Sequence, residues 1–168
     1  FNPGNTQCSD GIDNEGDGIG VLSSADDFGY TVTDGDELRL FGRVDQFRGF
    51  IQIIPDTLII LTQGNMLMDP DTVTMLGEET ESQLITIENL KLIDPSDWGG
   101  GSSGFNVDMT NGSDTFDIRI DADIDLYNTE YPTGTFSVTG IGGQFDTSTP
   151  LTGGYQLIPR SSSDIDPF

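Results

Sequence analysis

The side chains of this sequence best suited to chemistry are acidic, and they gather in two places. The first is Asp10-Gly11-Ile12-Asp13-Asn14-Glu15-Gly16-Asp17-Gly18. Short oxygen-bearing side chains with glycines between them can curl around one hard cation, and Ca2+ is the ion that suits an all-oxygen set. Asp10, Asp13, Asn14, Glu15 and Asp17 are therefore candidate ligands of a structural calcium ion, with a solvated acidic linker as the plainer reading. The second place is Asp121-Ala122-Asp123-Ile124-Asp125. Strand alternation would put Asp121, Asp123 and Asp125 on one face, where they repel unless a cation or Arg119 relieves them. These three form a second candidate metal set. A charged strand edge that deters edge-to-edge pairing explains them equally well.

Other chemistries find little support. The chain of 168 residues has no histidine, which removes Ser-His-Asp and Cys-His catalysis and His-ligated zinc. With 29 acidic residues, two carboxylates at glycosidase spacing arise by chance, so no enzyme is expected. Six Lys and Arg against those acids leave a net charge of -23, which argues against a nucleic-acid partner. The acids are 22 Asp and 7 Glu, a bias toward turns and metal loops. No apolar run is long enough for a membrane helix, so no membrane insertion is expected. Cys8 is alone, hence free or paired between chains. Abundant Gly, Ser, Thr and Asp with a single Lys fits an extracellular or cell-surface protein.

The segments around these groups read mainly as strands. Residues 1–27 read as an acidic Gly-rich head and 28–168 as one β-domain. Leu38, Leu40, Gly42 and Val44 alternate with Glu37, Arg39, Phe41 and Arg43, and Arg48-Gly49 turns the chain into 50–55. Pro55-Asp56 is expected to end that strand before a separate one at 58–62. A short helix is expected within 72–82. The strand 82–93 should carry a bulge at Glu88-Asn89, where its alternation slips. Strands at 105–110 and 114–126 are joined by Asn111-Gly112, a strong hairpin signal. Strands at 135–141 and 155–159 close the chain, and no internal repeat is expected. The tail 161–168 should need a neighbouring subunit to order it, with Phe1 and Phe168 as apolar tips.

The run Leu40-Phe41-Gly42-Arg43-Val44, the start Glu81-Ser82-Gln83-Leu84-Ile85 and the closing Gly154-Tyr155-Gln156-Leu157-Ile158-Pro159-Arg160 resemble an OB-fold-like module. Such modules occur in secreted Bacteroidota surface and nuclease-associated proteins. The resemblance covers about residues 30–165 and implies an all-β, five-stranded Greek-key barrel behind the acidic calcium-loop extension. The head is similar to thrombospondin type 3 calcium repeats. Against an EF-hand loop, Asp13, Glu15, Asp17 and Gly18 fall on ligand and turn positions, but Ser24 stands where the bidentate Glu belongs.

An OB barrel that grips single strands needs bases and aromatics together. Here Arg39, Arg43, Arg48, Lys91, Arg119 and Arg160 are expected to pair with Asp, and Phe41, Phe47, Phe50, Trp98 and Tyr155 to plug the barrel. The expected function is a non-catalytic, calcium-stabilised module that self-associates as a homo-oligomer or polymer in an extracellular fibre or surface layer. The alternative is a nucleic-acid- or glycan-binding accessory domain of a larger secreted protein. Asn111-Gly112-Ser113 is also a glycan acceptor pattern.

Overall fold

The computed structural model describes residues 18–22 and 28–167. The candidate ligands Asp10, Asp13, Asn14, Glu15 and Asp17, together with Cys8, lie outside them. Ten strands follow one another among the described residues. They are β1 (Gly20–Val21), β2 (Glu37–Phe47), β3 (Phe50–Thr62), β4 (Asp71–Thr72), β5 (Leu84–Leu92), β6 (Gly104–Thr110), β7 (Thr115–Asp121), β8 (Phe136–Gln144), β9 (Tyr155–Ile158) and β10 (Ile165–Pro167).

Five of these close a barrel in the order β5-β6-β7-β9-β8, with β8 returning to pair with β5. Every barrel pairing is antiparallel except β7 with β9. This is the Greek-key closure of an OB-fold-like barrel, and closure leaves no open edge among the five. Alternation fills the interior: Phe105, Val107 and Met109 from β6 meet Phe116, Ile118 and Ile120 from β7, all buried. Phe136, Val138 and Leu157 complete the packing from β8 and β9, each with 0% of its surface exposed. On β5 the expected bulge is present. Asn89 adopts a left-handed conformation (φ 60°) and the register with β8 shifts between Ile87 and Leu90, which turns Leu90 inward.

Several expectations are corrected. No helix spans 72–82; one 3-10 turn, Glu78–Thr80, follows the short β4. Residues 50–62 are one strand, because Pro55 sits where the pairing passes from Phe41–Thr57 to Gly42–Pro55 and leaves Asp56 over. A bulge tolerates a residue that has no N–H to donate. β7 stops at Asp121, since Asp125 opens a 3-10 turn over Asp125–Asn128 and accepts from Ser162 N at 2.7 Å. Residues 161–167 are held from within, since Arg160 donates to Asp164 through N, Nε and Nη2 and β10 pairs with β8, while Phe1 and Phe168 lie outside the described residues.

The largest departure concerns β2 and β3. They pair with β1 in a separate three-stranded sheet, β1-β3-β2, outside the barrel. That sheet also overturns the expectation of no internal repeat. Gly42, Gln46-Phe47 and Gln52-Ile53-Ile54-Pro55 recur as Gly140, Gln144-Phe145 and Gln156-Leu157-Ile158-Pro159. The pairing recurs with them. Arg43–Ile54, Val44–Ile53, Asp45–Gln52 and Gln46–Ile51 answer to Ile141–Ile158, Gly142–Leu157, Gly143–Gln156 and Gln144–Tyr155. A Cβ on Gly42 would strike the carbonyl of Ile54, and one on Gly140 the carbonyl of Ile158. Gln46 Nε2 donates to Gly49 O at 2.7 Å, and Gln144 Nε2 to Gly153 O at 2.8 Å. The correspondence reaches β1, whose parallel pairs Gly20–Gln52 and Val21–Ile53 repeat Asp117–Gln156 and Ile118–Leu157. The sheet β1-β3-β2 is thus a second copy of the β7-β9-β8 part of the barrel.

Candidate functional site

The repeat identifies an apolar face that no other strand covers among the described residues. Residues paired across β2 and β3 share a face, so Leu38, Leu40 and Val44 lie with Ile60, Leu58 and Ile53. The counterparts of Leu38, Leu40 and Ile53 in the barrel are Phe136, Val138 and Leu157, all fully buried, whereas Leu38, Leu40 and Ile53 are only half-buried and Val44, in the place of Gly142, is 68% exposed. The second face is mixed, with exposed Phe41 and Ile59 beside Arg39 and Arg43. The far edge of β2 has no partner strand among the described residues. A long edge strand with an apolar face is a template for further strands.

The hairpin tip is anchored to the barrel. Gly49 bridges Phe145, Asp146 N donates to Arg48 O at 2.6 Å, and Ile51 N donates to Glu81 Oε1 at 2.8 Å. Burial pushes the Glu81 carboxyl above its ordinary range, the Ile51 bond opposing it. The equivalent rings Phe47 and Phe145 meet edge to face at 6.1 Å, so the two copies of the repeat touch through corresponding residues. The Arg48 guanidinium lies over both rings, 5.9 and 5.8 Å from their centroids. Arg48 has φ 57° and Gly49 φ 100°, the pair of left-handed residues that a two-residue hairpin turn needs. Asn or Asp tolerates the first of these positions best. Arginine is held there by the two rings, an attraction worth about 1 kcal/mol.

Beside this tip is a shallow groove of about 570 Å³ lined by Gln46, Arg48, Thr147, Ser148, Thr149 and Leu151. Asp146 shapes its wall. The carboxylate accepts from Ser148 N and Oγ, Thr152 N and Gly153 N, and the Ser148 bonds lead in lowering its pKa to about 2. That carboxylate is committed to its own loop, so the groove offers hydroxyls and one cation.

The outer surface of β6 and β7 is the face that OB-folds commonly use. Here it carries Asn106, Asp108, Asp117, Arg119 and Asp121. Asn106 Nδ2 donates to both Asp117 oxygens at 2.9 Å, and Arg119 bonds Asp121, Asn106 and Ser103 O. Burial pushes Asp117 up. The single cation of this face is spent within the chain and no aromatic side chain stands on β6 or β7 beside it.

The trio at 121–125 is not brought together. Asp121 pairs with Arg119 at 2.8 Å, Asp123 is exposed on a turn, and Asp125 is bound by Ser162. Their shared strand face does not exist because the strand ends first. Among the described residues, no group of three or more acidic or sulfur-bearing side chains is placed to hold a metal ion. Cations pair as expected at Arg43–Asp45 (3.1 Å), Arg119–Asp121 (2.8 Å) and Arg160–Asp164 (2.8 Å), while Arg39, Arg48 and Lys91 have no acidic partner among the described residues. Of the named aromatics, Trp98 packs against the barrel core, but Phe41 and Phe47 are over half exposed.

Among the described residues, no helix is long and apolar enough to cross a membrane. Compared with family models, with curated proteins and with solved structures, the chain finds no match. The unpartnered sheet was missed at the sequence level. Its signal is the recurring Gly-x3-Gln-Phe and Gln-x-Ile-Pro, hidden because the first copy's two-residue loop becomes ten residues, 145–154, in the second.

Proposed function

We propose that the protein is a non-catalytic association module of an extracellular assembly, working through the apolar face of β2 and β3. The observation that carries this is the contrast within the repeat. Residue positions that are sealed in the barrel at Phe136, Val138 and Leu157 are only half-buried in the second sheet at Leu38, Leu40 and Ile53, on strands of 11 and 13 residues. An exposed apolar face of that kind marks a contact with other protein. The lean cation content, the absence of histidine and the carboxylates held in structural bonds all favour binding over catalysis. Self-association follows from the same face, opposed by the net charge of -23. Calcium at Asp10 to Asp17 would offset part of that charge and stiffen the head.

Sedimentation equilibrium of the whole chain over a range of concentrations tests the reading. Self-association should strengthen with ionic strength as the charges are screened. Leu40→Asp with Val44→Asp should abolish it, and Thr57→Asp on the opposite face should not. A chain that stays monomeric at every concentration and salt level would sink the proposal. The groove beside Arg48 favours a second reading, a small glycan or anionic ligand, through its hydroxyls and its cation between two rings. Glycan titration with Arg48→Ala as control tests that.

A further inference from the structure

The repeat specifies more than a sticky face. We infer that β1-β3-β2 is the unfinished part of a second OB-like barrel, and that its occupant is a β-hairpin equivalent to β5–β6 supplied from outside these residues. This rests on the association reading above and narrows it to one partner geometry.

The two units correspond strand by strand. In the finished barrel, the strands run β5-β6-β7-β9-β8 and close through β8–β5. In the second unit, β3 stands where β9 does, β2 where β8 does and β1 where β7 does, with the same parallel and antiparallel senses. The later part of β3 even repeats β10. Leu58, Ile59 and Ile60 pair with Leu40, Arg39 and Leu38 as Ile165, Asp166 and Pro167 pair with Val138, Ser137 and Phe136. Only the counterparts of β5 and β6 are wanting among the described residues.

The position of the incoming strand can be read from its counterpart. β5 meets β8 through Leu84–Ile141, Ile85–Gly140, Thr86–Thr139, Ile87–Val138 and Leu90–Phe136. A strand added to β2 would therefore run antiparallel along Leu38 to Arg43. Its inward residues would cover Leu38, Leu40 and Gly42, as Leu90, Ile87 and Ile85 cover Phe136, Val138 and Gly140. The second strand of the hairpin would bridge from there to β1.

A second copy of this chain is the wrong occupant. The described residues of each copy hold two sheets of the β9-β8 kind and one β5–β6 hairpin, which its own barrel has already closed. However many copies meet, one sheet per chain stays unfilled. Face-to-face self-association is then the contact made when no hairpin is present.

The test grafts a duplicate of residues 83–111 through a flexible linker ahead of residue 18 in the full chain, and reads amide exchange residue by residue. Completion should slow exchange at Leu38 to Arg43 by at least about tenfold, toward the protection of β8. It should also suppress self-association. A graft carrying Asp in place of the duplicated Ile85, Ile87 and Leu90 should protect nothing, which separates barrel completion from mere tethering. Unchanged exchange across β2 in the unmutated graft, with the barrel amides still protected, overturns the inference. Loss of the association reading is a separate result: it shows as a wild-type chain that is monomeric in sedimentation, whatever the graft does.

Discussion

Leu157→Ala and Ile53→Ala remove side chains of similar size from equivalent places in the two copies of the repeat, and they should differ sharply. Leu157 is fully enclosed by the barrel, so its truncation leaves a cavity as well as losing transfer energy. Such changes cost about 3 kcal/mol. Ile53 is half-buried in a sheet that has no second layer among the described residues, so solvent and neighbours fill its place. Its loss should cost about 1 kcal/mol or less. With a urea slope of about 2 kcal/mol per molar, the midpoint falls by about 1.5 M for Leu157→Ala and by about 0.5 M or less for Ile53→Ala. Trp98, the only tryptophan, packs 5.5 Å from Phe105 and reports barrel unfolding by its fluorescence. Equal losses at the two positions would refute the reasoning, because they would mean that the β3 face is already sealed.

Other consequences follow from single groups. Asp146 is held at about 2 by its loop bonds, so its stabilisation is present above the ordinary value of 3.8 and is lost as pH falls toward 2. Asp146→Asn should lower the melting temperature at neutral pH and flatten that acid limb. Glu81 behaves oppositely: its pKa is raised, chiefly by burial, so its contribution is full below 4.5 and is lost as pH rises through the folded value. Glu81→Gln should therefore melt higher than wild type at pH 7, with the gain shrinking below pH 4.5. Gly140→Ala puts a methyl group against the Ile158 carbonyl and should destabilise the barrel by about 2 kcal/mol in urea melts. Chelation of calcium should speed proteolysis within residues 1–27 in the wild type, and Asp13→Asn with Asp17→Asn should remove the difference.

The barrel was legible in the sequence because its strands obey local rules. Phe105 to Met109 and Phe116 to Ile120 alternate cleanly, Asn111-Gly112 turns between them, and the slip at Glu88-Asn89 marks its own bulge. Where a reading failed, a longer-range contact had overridden the local pattern. The alternation of Asp121, Asp123 and Asp125 continues on paper past the end of β7, but the bond from Ser162, far along the chain, draws Asp125 into a turn. Pro55 looks like a stop until the register with Gly42 supplies a bulge to hold it. The second sheet has a strand pattern as good as the barrel's, and local alternation cannot say whether a partner covers it. That information resides in the pairing registers, which only the folded chain displays.

One copy of the repeat is sealed at Phe136 and Val138, and the other leaves Leu38 and Leu40 half-buried beside a free strand edge among the described residues. Native-state amide exchange on the unmodified chain, at a concentration where it is monomeric, compares Leu38 to Arg43 directly with Phe136 to Ile141. The β8 amides should exchange only through global unfolding, while the β2 amides facing its free edge should exchange orders of magnitude faster. Equal protection in the two segments would contradict that contrast.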